Sequence, residues 1–463
     1  MRILLIVYDN DSYIQWFPHG IADITAVLLN AGYEIDIYNQ DIHHYSEEHL
    51  KSYLDDNKYD VVGLTFIAGY YQYRKALAIS EAINNSKNRP PLYIIGGHGP
   101  APEPEFFLKK TGAEVVVVGE GEDTIIELLS VYQKKDSLNQ VKGIAYLDGN
   151  KCIITERRPL IKDIDSIPWP AYHKFSVDQY LLLRMPHCNN SDFVMPILSG
   201  RGCTFKCNFC YRMDKGFRPR SSDSIVEEIK FLQKEYGITY IAFADELLMS
   251  SKKRTTEICE FFLRENLQIK WECCGRLNYA EPEILHLMKK SGCVFINYGI
   301  ESFDDQILEN MNKNLTTKQI VKGIESTLAA GISPGYNIIF GNIGETRKTL
   351  QKGVDFLLKY DDGAQMRTIR PVTPYPGTPL YYYAIEKGLC DGVADFYENK
   401  HLNSDLVAIN FTDMTDDELH NSLYDANKQL LENYFNNKKK SVISRAYDLY
   451  HNKDVGFRGF RQD

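Results

Sequence analysis

Three cysteines in the segment SGRGCTFKCNFCYR, Cys203, Cys207 and Cys210, are the residues of this chain whose type and spacing carry chemistry most directly. Thiolates are the usual ligands of iron-sulfur clusters, and three of them on a cubane leave one iron open to an outside ligand. Zinc is a competing reading, since it takes four ligands and His187 or Cys188 could complete the set. Cysteine as a small buried hydrophobe is a third. Against that last reading, three cysteines within eight residues, beside Gly200, Gly202 and two basic residues, pack poorly as core and well as a cluster loop.

The pattern C-x3-C-x2-C, with Phe209 before and Tyr211 after the last cysteine, resembles the signature of the radical S-adenosylmethionine (SAM) superfamily. The resemblance implies a 4Fe-4S cluster on Cys203, Cys207 and Cys210 whose open iron chelates the amine and carboxylate of SAM. One electron, from a donor such as flavodoxin or ferredoxin, would then cleave the sulfonium to a 5'-deoxyadenosyl radical, chemistry carried by a cofactor rather than a side chain.

Such a loop must be held by something rigid. From about 194 to 385 apolar strand-like runs alternate with amphipathic helical ones: strands at 194–198, 240–244, 269–272, 294–299 and 335–340, then a sixth ahead of Pro374. About six βα units fit a partial (β/α)6 barrel of the TIM type, with chemistry at the C-terminal strand ends. The cysteine loop follows the first strand. Later strand ends carry Asp245 and Glu246, then Arg276, then Glu301 and Ser302. A lone acid or arginine is by default a surface charge, but these recur in phase with the barrel repeat. By resemblance, GIES assigns Glu301 and Ser302 to the ribose or amino-acid part of SAM and Arg276 to its carboxylate. Glu246 and Tyr211 are the catalytic candidates. The segment IIFGNIGETRKTL is similar to the family's G-x-x-G-E-T turn, with Gly341 and Gly344 letting backbone approach the adenine.

The region before the barrel, 1–145, reads as a doubly wound, Rossmann-like α/β domain, with strands at 3–7, 34–38, 61–65, 93–95 and 115–118. Ligands in such sheets sit at the carboxyl ends of the strands. The loops there are Thr65 to Gly69, Gly96-Gly97-His98-Gly99 and Gly119-Glu120-Gly121-Glu122. Singly, each is a tight turn. Together, PPLYIIGGHGPAPEPEFFL and GAEVVVVGEGEDTIIELL resemble the cobalamin-binding domain that precedes the radical core in one large subfamily. That resemblance implies cobalamin contacts from Thr65, Gly96, Gly97, His98, Gly119, Glu120 and Gly121. The D-x-H-x-x-G motif of many cobalamin proteins is missing, and His19 is expected to be a turn residue rather than a cobalt ligand.

A linker, 146–190, with a hairpin at Asp148-Gly149-Asn150 and the stiff Pro168-Trp169-Pro170, joins this domain to the core, 191–388. A helical C-terminal region, 389–463, is expected to hold a helix over 415–435 and end it at Lys438-Lys440; by the family resemblance it would cover the substrate cavity. The remaining cysteines, among them Cys273, Cys274 and Cys293, read as core.

With 463 residues the chain exceeds one core. A net charge of −9 argues against a general nucleic-acid binder. No apolar run is long enough to span a membrane, the apolar stretch 3–8 is too short for a signal peptide, and ten scattered cysteines suggest a reducing cytoplasm. The expectation is a cobalamin-dependent radical SAM enzyme that methylates an unactivated carbon of a small molecule or peptide. Non-methylating rearrangement, cyclisation or oxidation is the alternative within the class, and a zinc-binding or sensing protein the alternative outside it.

Overall fold

The computed structural model describes residues 1–11, 16–213, 215–457 and 459–460. The N-terminal sheet contains β1 (Arg2–Val7), β2 (Glu34–Asn39), β3 (Val61–Thr65), β4 (Leu92–Gly96), β5 (Val115–Val117), β6 (Ile144–Asp148) and β7 (Lys151–Ile154) in the order β2-β1-β3-β4-β5-β6-β7. The first five strands run parallel, and both faces are covered, as their near-continuous apolar composition requires. Ile3, Leu5, Ile94, Val115 and Val117 share a core with the helices His19–Asn30 and Glu122–Lys134. Leu4, Ile6, Val62, Ile95 and Val116 face the helices Glu47–Asp56, Tyr70–Asn84 and Pro104–Thr111.

The expected boundary at 145 falls inside β6. The hairpin assigned to the linker is the antiparallel edge of this sheet, β6 pairing with β5 and β7 with β6. Only two of its residues, Ile144 and Ala145, are core, so its apolar signal is weak.

The second domain is a six-stranded parallel sheet, β15-β14-β13-β12-β11-β8, made of β8 (Val194–Ile197), β11 (Tyr240–Phe243), β12 (Lys270–Gly275), β13 (Cys293–Glu301), β14 (Ser333–Phe340) and the two-residue β15 (Arg370–Pro371). Strands follow in chain order with helices Ser222–Tyr236, Lys252–Arg264, Pro282–Lys290, Thr317–Ala329 and Arg347–Lys359 between them, giving an open (β/α)6 half-barrel. Ile197, Ile241, Trp271, Cys273, Ile296 and Phe340 pack outward against these helices. Cys273 and Cys293 are core as expected, but Cys274 alternates to the other face of β12 and is only half-buried. Between β8 and the first barrel helix, a hairpin of β9 (Gly200–Cys203) and β10 (Gly216–Pro219) carries the cysteine loop.

The described residues of the C-terminal region are not among those lining the cleft between the two domains. Tyr397 stacks on Tyr73 at 4.7 Å, and Glu398 pairs with Lys110, so this segment packs on the first domain. The helix Asp416–His451 then runs along the barrel, where the Asn427 side chain accepts from Ile369 N at 2.7 Å and donates to Ile369 O at 2.9 Å. It thereby satisfies main-chain groups at the edge beside β15. Lys438–Lys440 sit within this helix, not at its end, because no glycine or proline interrupts 416–451. No described helix is long and apolar enough to cross a membrane.

Candidate active site

Cys203 ends β9, opposite Gly216 on β10, and Cys207 and Cys210 lie in the loop between the two strands. Cys207 is buried and Cys210 is exposed. Even so, the surroundings of Cys210 push its thiol up to about 12, chiefly through desolvation and then through Cys207 and Glu246. Cys203 is raised as well, chiefly by desolvation, against a lowering backbone hydrogen bond at Phe205 and with Glu246 and Cys207 adding to the rise. Thiols this crowded with negative neighbours become thiolates only when a cationic centre joins them. A cubane spreads three such ligands over three irons and leaves the fourth open. Among the described residues no group of His, Cys, Asp or Glu converges on a single-ion site. The two zinc candidates are used elsewhere: His187 stacks on Phe295 at 4.6 Å, near the start of β13, and the Cys188 thiol bonds Met185 O at 2.9 Å.

The loop is fastened from several sides. Asn208 and Asn342 exchange side-chain hydrogen bonds at 3.3 and 3.1 Å, Asn208 N donates to Met311 O at 3.0 Å, and Leu380 N donates to Asn208 O at 2.9 Å. Arg276 stacks its guanidinium 3.5 Å from the Phe205 ring centroid and donates to Lys313 O, with Nη1 4.0 Å from Cys207 Sγ. It thereby fastens the cysteine loop to the barrel. Glu301 is 8% exposed, has a left-handed φ of 69°, and accepts from Lys313 Nζ at 2.8 Å, Lys313 being 5% exposed. A non-glycine residue held at such a φ marks a conformation imposed by its surroundings. Gly299 leaves the space this pair needs, since a Cβ there would lie 2.9 Å from Lys313 Nζ.

Ser302 bonds Glu345, whose carboxylate also accepts from Gly341 N at 2.6 Å and Asn342 N at 3.0 Å. Burial pushes Glu345 up to about 8. Glu345 thus closes the Gly341 turn, and Thr346 caps the following helix in a capping box. Asp245, which borders the same cleft as Glu246, accepts from Ser199 N and Oγ, both at 2.8 Å, and joins the ends of β8 and β11. Its neighbour Glu246 lines the cleft toward the first domain.

That cleft, of about 710 Å³, is bordered by Thr65, Gly96, Gly97, His98, Gly119, Glu120 and Gly121 on one side and by Gly202, Arg212 and Glu246 on the other. Every first-domain candidate therefore faces the barrel mouth. Gly97, at φ +95°, permits a close approach, because a Cβ there would meet Phe66 O and Thr65 Oγ1 at 2.6 Å. The cleft continues as an apolar slot lined by Leu5, Leu28, Ile94 and Leu129, between the sheet and two helices. Glycines at the strand ends and an apolar slot behind them leave room for a large macrocycle with an appended base. His19 Nε2 donates to Pro196 O at 2.9 Å, and burial lowers its pKa to about 4, so it is a neutral structural contact to the barrel. Tyr211 packs against Gly377, where an added Cβ would lie 2.6 Å from its ring, and meets His98 edge-on at 6.0 Å, touching both domains.

Asn208, Arg201 and Lys313 were not among the sequence candidates. Arg201, adjoining the cysteine motif in GRGC, was the one with a sequence signal.

Residues 197–357 match the radical SAM superfamily model, and residues 7–129 match the B12 binding domain model. An uncharacterized methyltransferase, PH0819, of Pyrococcus horikoshii is 29% identical over 84% of each chain. The anaerobic magnesium-protoporphyrin IX monomethyl ester cyclase of Cereibacter sphaeroides is 27% identical over 79% of this chain and 60% of its own. The solved radical SAM methyltransferase TsrM of Kitasatospora setae superposes with a TM-score of 0.73 at 17% identity, covering 92% of this chain and 88% of that one, and so shares the fold. The cofactors of this chain are a 4Fe-4S cluster, SAM and cobalamin. With both domain models matched and both mouths opening on one cleft, the chain carries a B12 binding domain, 7–129, followed by a radical SAM domain, 197–357.

Proposed function

We propose that this enzyme transfers a methyl group to an unactivated carbon of a small-molecule or peptide substrate bound between its two domains. The single cleft shared by the glycine loops and Glu246 carries the reading, because it brings the two cofactor sites within reach of one substrate. When bound, the cluster with SAM supplies a hydrogen-abstracting radical and cobalamin a transferable methyl group. The protein's part is placement. Cys203, Cys207 and Cys210 hold the cluster. Glu301, Ser302, Arg276 and the Gly341 turn surround SAM, with Lys313 holding the Glu301 carboxylate in place. Thr65, Gly96, Gly97, His98, Gly119 and Gly121 border cobalamin, and Glu246 and Tyr211 flank the gap where substrate and both cofactors meet. A flavodoxin or ferredoxin in the cytoplasm would deliver the electron.

The match to a cyclase favours a second reading, in which the same cofactors close a ring without methylating. Product analysis of SAM under reducing, anaerobic conditions separates the two. Methylation yields S-adenosylhomocysteine together with 5'-deoxyadenosine; 5'-deoxyadenosine alone from an enzyme turning over its substrate excludes methylation.

A further inference from the structure

The two arginines that flank the cysteine loop face each other across β9 and β10, Arg201 being the register partner of Arg218. Like charges directly opposite on paired strands destabilise a hairpin. Here both reach across the domain junction to the same acids. Arg201 Nη1 lies 3.1 Å from Glu120 Oε1, and its Nη2 lies 2.6 Å from Glu122 Oε1 and 3.4 Å from Asp23 Oδ2. Arg218 Nη1 lies 2.9 Å from both Glu120 oxygens and 2.6 Å from Ile161 O, while Ile161 N donates to Glu120 Oε2 at 2.8 Å. The side chains are 20% exposed at Arg201 and 7%, 8% and 10% exposed at Glu120, Glu122 and Asp23, so the network is largely shielded from solvent. Buried charges of this kind persist only when paired. Three carboxylates surround two guanidiniums, and burial pushes Asp23 up to about 7, which brings the network toward neutrality.

Its location gives it a consequence beyond adhesion. Arg201 is two residues before Cys203, and Glu120 lies between Gly119 and Gly121 in a loop bordering the cobalamin side of the cleft. A shift of the cysteine hairpin therefore moves that loop, and the reverse.

We propose that Arg201 and Arg218, with Glu120, Glu122 and Asp23, form a clamp that sets the separation and orientation of the cluster relative to cobalamin, making both arginines positioning residues. Glu120, a cofactor contact by family resemblance, acts in this clamp as the shared anchor for both arginines. The proposal rests on the reading that both cofactors serve one substrate.

The test uses holoenzyme with reduced cluster and cob(II)alamin, in wild type, Arg201→Lys and Arg218→Gln. Pulsed EPR reads the magnetic coupling of the two centres. Wild type should give one narrow distance distribution. Both variants should keep iron and cobalamin content but broaden or shift that distribution, and the ratio of 5'-deoxyadenosine to S-adenosylhomocysteine should rise about tenfold through misplacement of the reacting groups. An unchanged distribution in both variants overturns the clamp, as does loss of iron from either, which would make the arginine a support of the cluster alone. Amide exchange in cobalamin-free protein gives an independent readout. Faster exchange at 119–122 together with 200–203 in the variants supports the clamp, and unchanged exchange at 119–122 overturns it. Wild type that takes up no cobalamin would sink the methyl-transfer reading while the exchange result still decides the clamp.

Discussion

At the barrel mouth, charge and hydrogen bonds hold everything: Lys313 on Glu301, Arg276 over Phe205, Asn208 against Asn342, Glu345 across the Gly341 turn. Across the cleft, the first domain presents Gly96, Gly97, Gly119 and Gly121 in front of an apolar slot, and its acids Glu120 and Glu122 are turned to the arginines of the hairpin. The barrel side must fix a charged cluster and a charged SAM, where a small displacement is costly. The other side must admit a large macrocycle, and its strand-end glycines leave room for one.

The sharpest break in this comparison is Cys207→Ala. Iron should fall from about four per chain to near zero, with SAM cleavage lost, while cobalamin uptake by the other domain continues; iron analysis and optical titration read both. Next is Lys313→Met, which leaves Glu301 buried and unpaired. The loss should be about 3–5 kcal/mol, seen as a lower midpoint in denaturant unfolding, with SAM binding weakened more than cobalamin binding. Gly97→Ala probes the opposite mouth. Strain at φ +95° and the contact with Phe66 O should cost about 1–3 kcal/mol, read as weaker cobalamin retention at unchanged iron content.

The smallest effect is one of pH. Glu345 keeps its proton up to about pH 8 when folded, whereas an unfolded glutamate loses it near 4.5. Between these values the native state binds more protons than the unfolded one, so this group's contribution to stability falls as pH rises. Glu345→Gln should flatten that slope in thermal unfolding of the apoprotein between pH 5 and 8, and an identical slope would show that the carboxyl is already ionised.

How much of this was legible in advance follows the same divide. The cysteine spacing and the strand-end glycines stand in short, local motifs, and the apolar runs of β1, β3 and β4 announce buried parallel strands by composition alone. The hairpin of β9 and β10 does not, because GRGC and GFRP show no apolar alternation; tertiary ion pairs hold it. Lys313 reads as an ordinary surface lysine until Glu301, twelve residues earlier, is brought onto it. Asn208 looks like filler between cysteines until residue 342 arrives. The continuation of the last helix through Lys438–Lys440 was hidden by its charge, since exposed lysines suit a helix interior as well as its end.

Two cofactor sites meeting in one cleft are the central feature of this enzyme. Anaerobic reconstitution with iron, sulfide and cobalamin, followed by metal analysis and optical spectroscopy of the desalted protein, tests this directly. The prediction is about four irons and one cobalt per chain in a brown protein. A colourless chain carrying stoichiometric zinc, or an iron-loaded chain that retains no cobalt, would contradict it.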